Sequence, residues 1–342
     1  MKITMTIETL KAAREAITGG NYYKSILLDK LLDLILIEDL VNPDSLVMPF
    51  LLGDPTAGIF ASQEKNSDKN KIIEADFLLK QDACVAGLPM IEIAMGALCA
   101  ALDRQSDLPR ISIEHHTQDG TYIRCTPPNG LPRTRIATLT GPADLILIAE
   151  RTMLNLMQRM SGVATMTRSF VDIAVSKGVN LQVLDTRKTM PGLRLLDKYA
   201  VLAGGGTNHR FSLAHAIMLK DNHIAAAGSI EQAMQMARAA DPDGKALFIE
   251  IEVDTLDGLK QALDCGAQRV MLDNFSPEQV RQAVAFARVD RGLAHDDLYI
   301  EVSGGIDSDT FADYLISGVS GISIGALTHS ARNVDISLDF KV

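Results

Sequence analysis

Residues 247–273 read LFIEIEVDTLDGLKQALDCGAQRVMLD. An apolar run, Leu247–Val253, is followed by an amphipathic helical stretch, Leu256–Cys265, and then by a second apolar run, Arg269–Leu272. Two short runs joined through a helix predict parallel strands with a crossover between them. The same alternation extends in both directions. Strands are expected at Leu181–Leu184, Ala216–Leu219, Leu298–Val302 and Gly321–Ile324, and helices at Ile230–Ala240, Pro277–Arg288 and Ser308–Ser317. The second half of the chain is therefore α/β, built as either a (β/α) barrel or an open doubly wound sheet.

Where the polar residues fall decides between the two. Asp185-Thr186-Arg187-Lys188 follows the first run and Lys220 the second. Glu252 lies near the end of the third, Asp273 ends the fourth, Ser303-Gly304-Gly305 follows the fifth, and Gly325 ends the last. Polar chemistry at the C-terminal end of strand after strand is the layout of a barrel active site. An open sheet would gather it at one switch point.

Arg187, Lys188, Arg210 and Lys220 fall on that one face. Any one could be a solvated strand-end charge, but four together repel unless an anion or carboxylates neutralise them. Arg matches carboxylate or phosphate with a planar fork and Lys with a point charge, so a ligand with several negative groups is implied. Glu252 and Asp273 end neighbouring strands. They suit a Mg²⁺ site or a grip on sugar hydroxyls, and equally well salt bridges to the cations. The turns at Ser303–Gly305 and Gly325–Leu327 allow backbone N–H groups to converge on an anion. Gly204-Gly205-Gly206 fits neither a dinucleotide fingerprint nor a P-loop and is expected to present His209 and Arg210. His115-His116 lacks an acid or Cys at metal-ligand spacing and is read as structural. Met153, Met157 and Met160 recur at helical spacing and are assigned to the core.

The first half mixes helical segments (Asp29–Leu40, Met90–Leu102) with β-like runs (Ile111–Glu114, Arg135–Thr140) and reads as an α+β domain. The polar stretch Ser62–Lys71 and the turn-rich Thr126–Pro132 are expected as loops. The 342 residues suffice for two domains. Four cysteines without a C-x-x-C pair suggest a reducing compartment. Met1–Glu8 lacks the long apolar core of a signal peptide, and the apolar stretch Leu27–Leu40 is broken by Asp29, Lys30, Asp33, Glu38 and Asp39, so no membrane span is expected and the protein is placed in the cytoplasm. A net charge of −10 argues against nucleic acid as a partner but not against a small anion in a cationic cleft.

Taken in order, these residues resemble the quinolinate phosphoribosyltransferase family. The matching strings are Glu150-Arg151-Thr152, Leu156–Thr165 (LMQRMSGVAT), Leu184–Arg194 (LDTRKTMPGLR), Gly204–Arg210 (GGGTNHR), Leu219–His223 (LKDNH), Leu272-Asp273-Asn274 and Gly325–Ser330 (GALTHS). Gln81–Pro89 (QDACVAGLP) is similar to the family's DGxxAGLP, with Ala83 in place of a glycine. Where the family shows EDLGxGD, this chain has Glu38–Asp44 (EDLVNPD).

The resemblance implies an N-terminal α+β sandwich domain, residues 1–160 with the tail 327–342 packed on it. An open parallel barrel of about seven strands over 161–326 would follow. It implies conversion of quinolinate and phosphoribosyl pyrophosphate to nicotinate mononucleotide, pyrophosphate and CO₂. Arg187, Arg210 and Lys220 would hold the two quinolinate carboxylates, with Thr186, Lys188 and His209 beside them. Arg151 would reach into the neighbouring subunit of a homodimer. Glu252 and Asp273 would serve the ribose and Mg²⁺, and Ser303, Gly304, Gly305, Ile324, Gly325 and Ala326 the 5′-phosphate. Lys188, Lys220, Glu252 and Asp273 carry the catalytic expectation, with Lys188 and Lys220 as alternative proton donors. Other readings are the related phosphoribosyltransferases encoded with molybdate-transport genes, a phosphate-binding barrel isomerase or synthase, and an inactive paralogue that senses a pyridine dicarboxylate. The intact Lys220–His223 string favours the quinolinate branch.

Overall fold

The computed structural model describes residues 2–40, 71–125 and 133–341. The expected loops 62–70 and Thr126–Pro132, and Val41–Asp44 of the divergent string, lie outside the described residues. The chain divides into two compact units. One comprises Met1–Thr165, Met190–Gly204 and Ala331–Val342, the other Met166–Thr189 and Gly205–Ser330.

The first unit carries a five-stranded antiparallel sheet in the order β1 (Lys2–Thr4), β4 (Ser112–His115), β6 (Thr134–Pro142), β2 (Ile72–Leu79), β13 (Ile336–Phe340). A short pair, β3 (Ala83–Cys84) with β5 (Tyr122–Ile123), completes its strands. On β2 the alternation puts Ala75, Phe77 and Leu79 inside, against Ile91, Met95 and Leu98 of a helix at Pro89–Ala101. A bulge opposite Phe77 and Leu78 lets both Ile136 and Ala137 of β6 face the core. Met153, Met157 and Met160 are fully buried, as their spacing predicts. His115 and His116 are held within the unit. His115 Nε2 lies 2.6 Å from Glu92 Oε1, an acid partner that sequence spacing did not reveal, and His116 Nε2 lies 2.8 Å from Thr138 Oγ1.

Two long-range links define this unit. Arg159 donates two hydrogen bonds to Asp197, at 3.0 and 3.1 Å, and so binds Met190–Gly204, with its helix Arg194–Ala203, to the long helix Ala143–Ser176. The expected second domain, 161–326, contained that segment. The C-terminal tail lies on the same long helix: Val334 N–H donates to Gln158 O at 3.1 Å, and Gln158 Nε2 donates to Ile336 O at 2.8 Å.

The second unit is a six-stranded, wholly parallel sheet in the order β7 (Gln182–Leu184), β12 (Gly321–Ser323), β11 (Tyr299–Ser303), β10 (Arg269–Asp273), β9 (Ile249–Val253), β8 (Ile217–Leu219). The first strand in sequence pairs with the last, while the first and second do not pair. This is an open α/β barrel with its gap between β7 and β8. Six strands form rather than about seven, because beside β7 the chain makes only a single bridge, Leu184 to Thr207. The helix expected over Ser308–Ser317 shrinks to one 3₁₀ turn, Phe311–Tyr314. There the Asp307 carboxylate takes the N–H groups of Asp309 and Thr310 and the Thr310 hydroxyl, a local pattern that competes with helix formation. The helix at Pro277 ends at Ala285 and passes into a π turn, Phe286–Asp290.

The long helix touches the tail most closely at Gly162. A β-carbon there would lie 2.1 Å from the Arg332 carbonyl oxygen, a backbone atom that cannot turn aside. Gly162→Ala is expected to lose roughly 1–3 kcal/mol of stability through overpacking. Thermal and urea unfolding measure it, and an unchanged transition would refute the close approach.

Candidate active site

The C-terminal ends of the barrel strands surround a cavity of about 430 Å³. Among its walls are Thr186, Arg187, Lys188, His209, Arg210, Lys220, Glu252, Asp273, Ser303, Gly304 and Gly305, so most of the positions singled out from the sequence converge. Ile324, Gly325 and Ala326 do not line it, although Gly325 lies against Lys188, whose Cδ would be 3.1 Å from an added β-carbon. Arg151 belongs to the first unit and projects from the interior of the Ala143–Ser176 helix. Pro142 ends β6 and the helix begins directly after it. The Arg151 side chain is 72% exposed, with Glu150 Oε1 at 3.7 Å.

Each wall is set by the strand that feeds it. Asp185 follows β7, is fully buried, and accepts the His209 backbone N–H at 2.9 Å, which fixes the Gly205–Arg210 segment to that strand end. The Lys188 N–H donates to Thr186 Oγ1 at 3.0 Å, and Thr328 Oγ1 donates to the Lys188 carbonyl at 2.8 Å, so this turn is held from both sides. Lys220 follows β8 and pairs with Glu252 of β9. Register places Met271 of β10 opposite Glu252, so Asp273 lies one step further along the neighbouring strand. Asn274 Nδ2 donates to Asp273 Oδ2 at 2.7 Å, and its own N–H donates to the Ser303 carbonyl at 2.8 Å. Gly304 is obligatory there: its φ is +102°, and a β-carbon would come within 2.8 Å of the Asn274 backbone nitrogen.

The electrostatics divide the cavity. Burial lowers the pKa of Arg210, and the adjacent Arg187 charge lowers it further, so two guanidinium groups compete for the same space. Burial raises the pKa of Asp273, as does the Glu252 carboxylate, against the attraction of Lys220 and Lys188. One side is therefore an anion-seeking pair and the other a carboxylate pair that favours a cation or hydroxyl donors. Glu252 and Asp273 fit Mg²⁺, since both offer hard oxygen ligands and Asp273 is already destabilised as an anion by its neighbour.

Below the cavity lies a second cluster that no sequence pattern announces. Glu250, Glu301 and His209 come together inside the barrel, with the carboxylates fully buried. Their spacing could suit a metal, but Arg269 takes that role: its Nε donates to Glu250 at 2.8 Å and its Nη2 to Glu301 at 2.7 Å. His209 Nε2 lies 3.1 Å from Glu250 Oε2 and 3.3 Å from Glu301 Oε1, while its Nδ1 accepts the Arg210 backbone N–H at 2.7 Å. Burial opposes a charged ring, but the two carboxylates outweigh it and push its pKa up to about 9. The Arg210 amide favours instead the singly protonated ring. A directed bond onto Nδ1 is the more specific constraint, and it leaves the proton on Nε2. Both ring nitrogens are then engaged within the protein. Met218, Met271, Asn274 and Ser323 also line the cavity. The methionines are apolar strand residues without a chemical signal of their own, and only the two-residue spacing of Met218 from Lys220 and of Met271 from Asp273 could have placed them on the same face.

Comparison with known proteins agrees with this geometry. Residues 163–339 match the family described as the quinolinate phosphoribosyl transferase C-terminal domain, and 56–161 match its N-terminal domain. A probable nicotinate-nucleotide pyrophosphorylase [carboxylating] of Bacillus subtilis is 40% identical over 85% of this chain and 90% of its own length. A nicotinate-nucleotide pyrophosphorylase [carboxylating] of Mycobacterium leprae is 37% identical over 78% and 86%. The solved nicotinate-nucleotide pyrophosphorylase of Francisella tularensis superposes with a TM-score of 0.74 at 33% identity, covering 92% of this chain and 96% of that one. Both halves of the sequence and the fold point the same way, and the chain belongs to the quinolinate phosphoribosyltransferase family.

Proposed function

We infer that this protein is a phosphoribosyltransferase of NAD biosynthesis, converting quinolinate and phosphoribosyl pyrophosphate to nicotinate mononucleotide, pyrophosphate and CO₂. The adjacent Arg187 and Arg210 carry the reading, because two neighbouring guanidiniums suit a ligand with two carboxylates on adjacent ring carbons. With Lys220 they hold the quinolinate, and Thr186 and Lys188 close the turn beside it. His209 holds the Arg210 backbone. Ser303, Gly304 and Gly305 offer a turn for the 5′-phosphate, with Ile324, Gly325 and Ala326 behind Lys188.

Held in this way, the pyridine nitrogen faces C1′ of the sugar, and positioning supplies much of the rate. As the bond from C1′ to pyrophosphate breaks, positive charge develops on the sugar, and Glu252 and Asp273 face it with negative charge. These two also would hold Mg²⁺, directly or through water, and the ion would neutralise the departing pyrophosphate. Once the nitrogen carries the ribosyl group its positive charge lets the C2 carboxylate leave as CO₂ and stabilises the remaining carbanion. Lys220 already pairs with Glu252 and grips the quinolinate, so Lys188 is assigned the proton that completes the product. The four cysteines are unpaired, and no helix among the described residues is long and apolar enough to cross a membrane. Both support action in the cytoplasm on small molecules.

The decisive assay supplies purified protein with quinolinate, phosphoribosyl pyrophosphate and Mg²⁺ and follows CO₂ and nicotinate mononucleotide. Nicotinate lacks the C2 carboxylate and would leave the neighbouring Arg187 and Arg210 charges with one carboxylate fewer. Its kcat/KM is expected to be lower by at least roughly a hundredfold, the factor that about 3 kcal/mol represents. Equal use of the two acids would overturn the reading. Asp273→Asn is expected to raise KM for phosphoribosyl pyrophosphate at least about tenfold, the scale of a charge-assisted hydrogen bond of roughly 1.5 kcal/mol or more, with little effect on quinolinate. Loss confined to quinolinate would reverse the assignment.

Arg151 is proposed to act across the interface of a homodimer. Its contact with Glu150 is exposed and worth at most about 1 kcal/mol, so little holds it where it lies. Mixing inactive Arg151→Ala with inactive Lys220→Ala tests this. Each mixed dimer would regain one intact site while the other carries both lesions. If subunit exchange is verified and no activity returns, the shared site is wrong.

A further inference from the structure

Arg269 lies at the opposite end of its strand from Asp273 and does not line the cavity. Its guanidinium is stacked between two rings, 4.1 Å from the Phe248 centroid and 3.9 Å from that of Tyr299. The rings fix its plane, and its two donors fix one oxygen of Glu250 and one of Glu301. The remaining oxygens, Glu250 Oε2 and Glu301 Oε1, form a fork around His209 Nε2. The imidazole is thus set in one rotation, with its edge on the Phe248 ring at 5.3 Å between centroids. Turned that way, Nδ1 meets the Arg210 N–H, and the Arg210 side chain starts from a fixed backbone at the cavity wall. The chain of contacts runs from a residue outside the site to one that lines it, through hydrogen bonds from Arg269 to Glu250 and Glu301, between His209 and Glu250, and from the Arg210 N–H to His209, with Glu301 Oε1 in ion-pair contact with the ring.

We propose that Arg269 is a positioning residue for the aromatic acid substrate, acting through the Glu250–Glu301 fork and His209 on Arg210. It does not touch substrate. Removing its guanidinium leaves two fully buried carboxylates facing each other with one cation fewer, so they move apart or take up a proton, and the fork no longer fixes the ring. The Arg210 guanidinium keeps its bond to the Ala216 carbonyl, at 3.1 Å, but starts from a backbone no longer fixed and so misses the carboxylate. The sugar-diphosphate side depends on Glu252 and Asp273, which this network does not hold. The proposal rests on the reading that Arg210 grips a quinolinate carboxylate.

Arg269→Met keeps much of the length and loses the charge. In the folded variant KM for quinolinate is expected to rise about ten- to a hundredfold, the range for losing a group that orients a functional histidine. KM for phosphoribosyl pyrophosphate should change less than about twofold, because the network makes no contact with Glu252 or Asp273. Arg269→Lys should recover part of the loss, since an ammonium restores the charge but not the fork. A purely structural role would lower the melting temperature and the active fraction while leaving both KM values alone, and that result overturns the proposal, as does an equal rise in both. If Arg269→Met does not fold, Glu301→Gln decides, because it keeps the shape and weakens the same fork. The same one-sided rise in KM supports the proposal, and its absence sinks it. Arg210→Ala separates the two levels: if it leaves KM for quinolinate unchanged, the reading of Arg210 has failed, whatever Arg269 does.

Discussion

Inside this barrel charge is arranged in layers, and the site depends on that order. Arg269 lies lowest, with its face on two aromatic rings. Glu250 and Glu301 come next, and the cations Arg187 and Arg210 line the cavity above them. A buried ion pair is weak support for stability, since desolvation offsets much of the attraction. Its use here is electrostatic support from behind. Glu250 and Glu252 raise the pKa of Arg210 against burial and Arg187. Glu250 thus supports a crowded guanidinium from behind the cavity, and Glu252 does so from the cavity wall. A barrel packed only with aliphatic side chains would leave the like charges above it unsupported.

The gap between β7 and β8 belongs to the same design. Closing the ring would require the two strands to pair, and the connection between them to cover the seam. Instead the helix of that connection, Arg194–Ala203, groups with the first unit, where Asp197 takes both Arg159 bonds and the Met190 N–H at 3.1 Å. What remains beside β7 is the Gly205–Arg210 segment, joined by the Thr207 bridge and the Asp185 carboxylate. That segment carries His209 and Arg210 to the cavity. A full strand there would have pointed alternate residues away, whereas a single bridge frees the next residues to turn inward.

How much of this could be read from the sequence follows from where each signal is local. Strand ends were legible because Asp273, Lys220 and Ser303 break apolar runs at recognisable points, and strands joined through a helix usually lie side by side, as all but β7 and β8 do here. The inner cluster was not. In Ile249–Val253 the alternation IEIEV is what a half-exposed strand would show, and only barrel closure reveals that the polar face is the inside. Arg269, beginning its strand, resembles an exposed edge charge until Phe248 and Tyr299 are brought against it. The Arg159–Asp197 pair spans 38 residues with no pattern between them. The failed helix after Ser308 was suggested by apolar spacing, but the Asp307 turn that opposes it is read only once its hydrogen bonds are seen.

An acidic chain with an anion site presents no contradiction once charge is followed by position. Surface carboxylates that contribute to the net −10 are screened beyond about 8 Å at physiological salt, whereas charges inside a cavity are screened far less. The cavity itself also contains acids, so the sum of its charges is a poor guide. Asp185 accepts a backbone N–H, and Glu252 is paired with Lys220. Burial and the neighbouring Arg187 charge lower the pKa of Arg210, a cost that an anion between them relieves. On the other side Glu252 raises the pKa of Asp273 in the same manner, and a cation relieves that. Two strained like-charge pairs across one cavity separate its ends by sign. A ligand pair that brings carboxylates to one end and a cation-bearing sugar diphosphate to the other satisfies both at once, which ties binding to orientation.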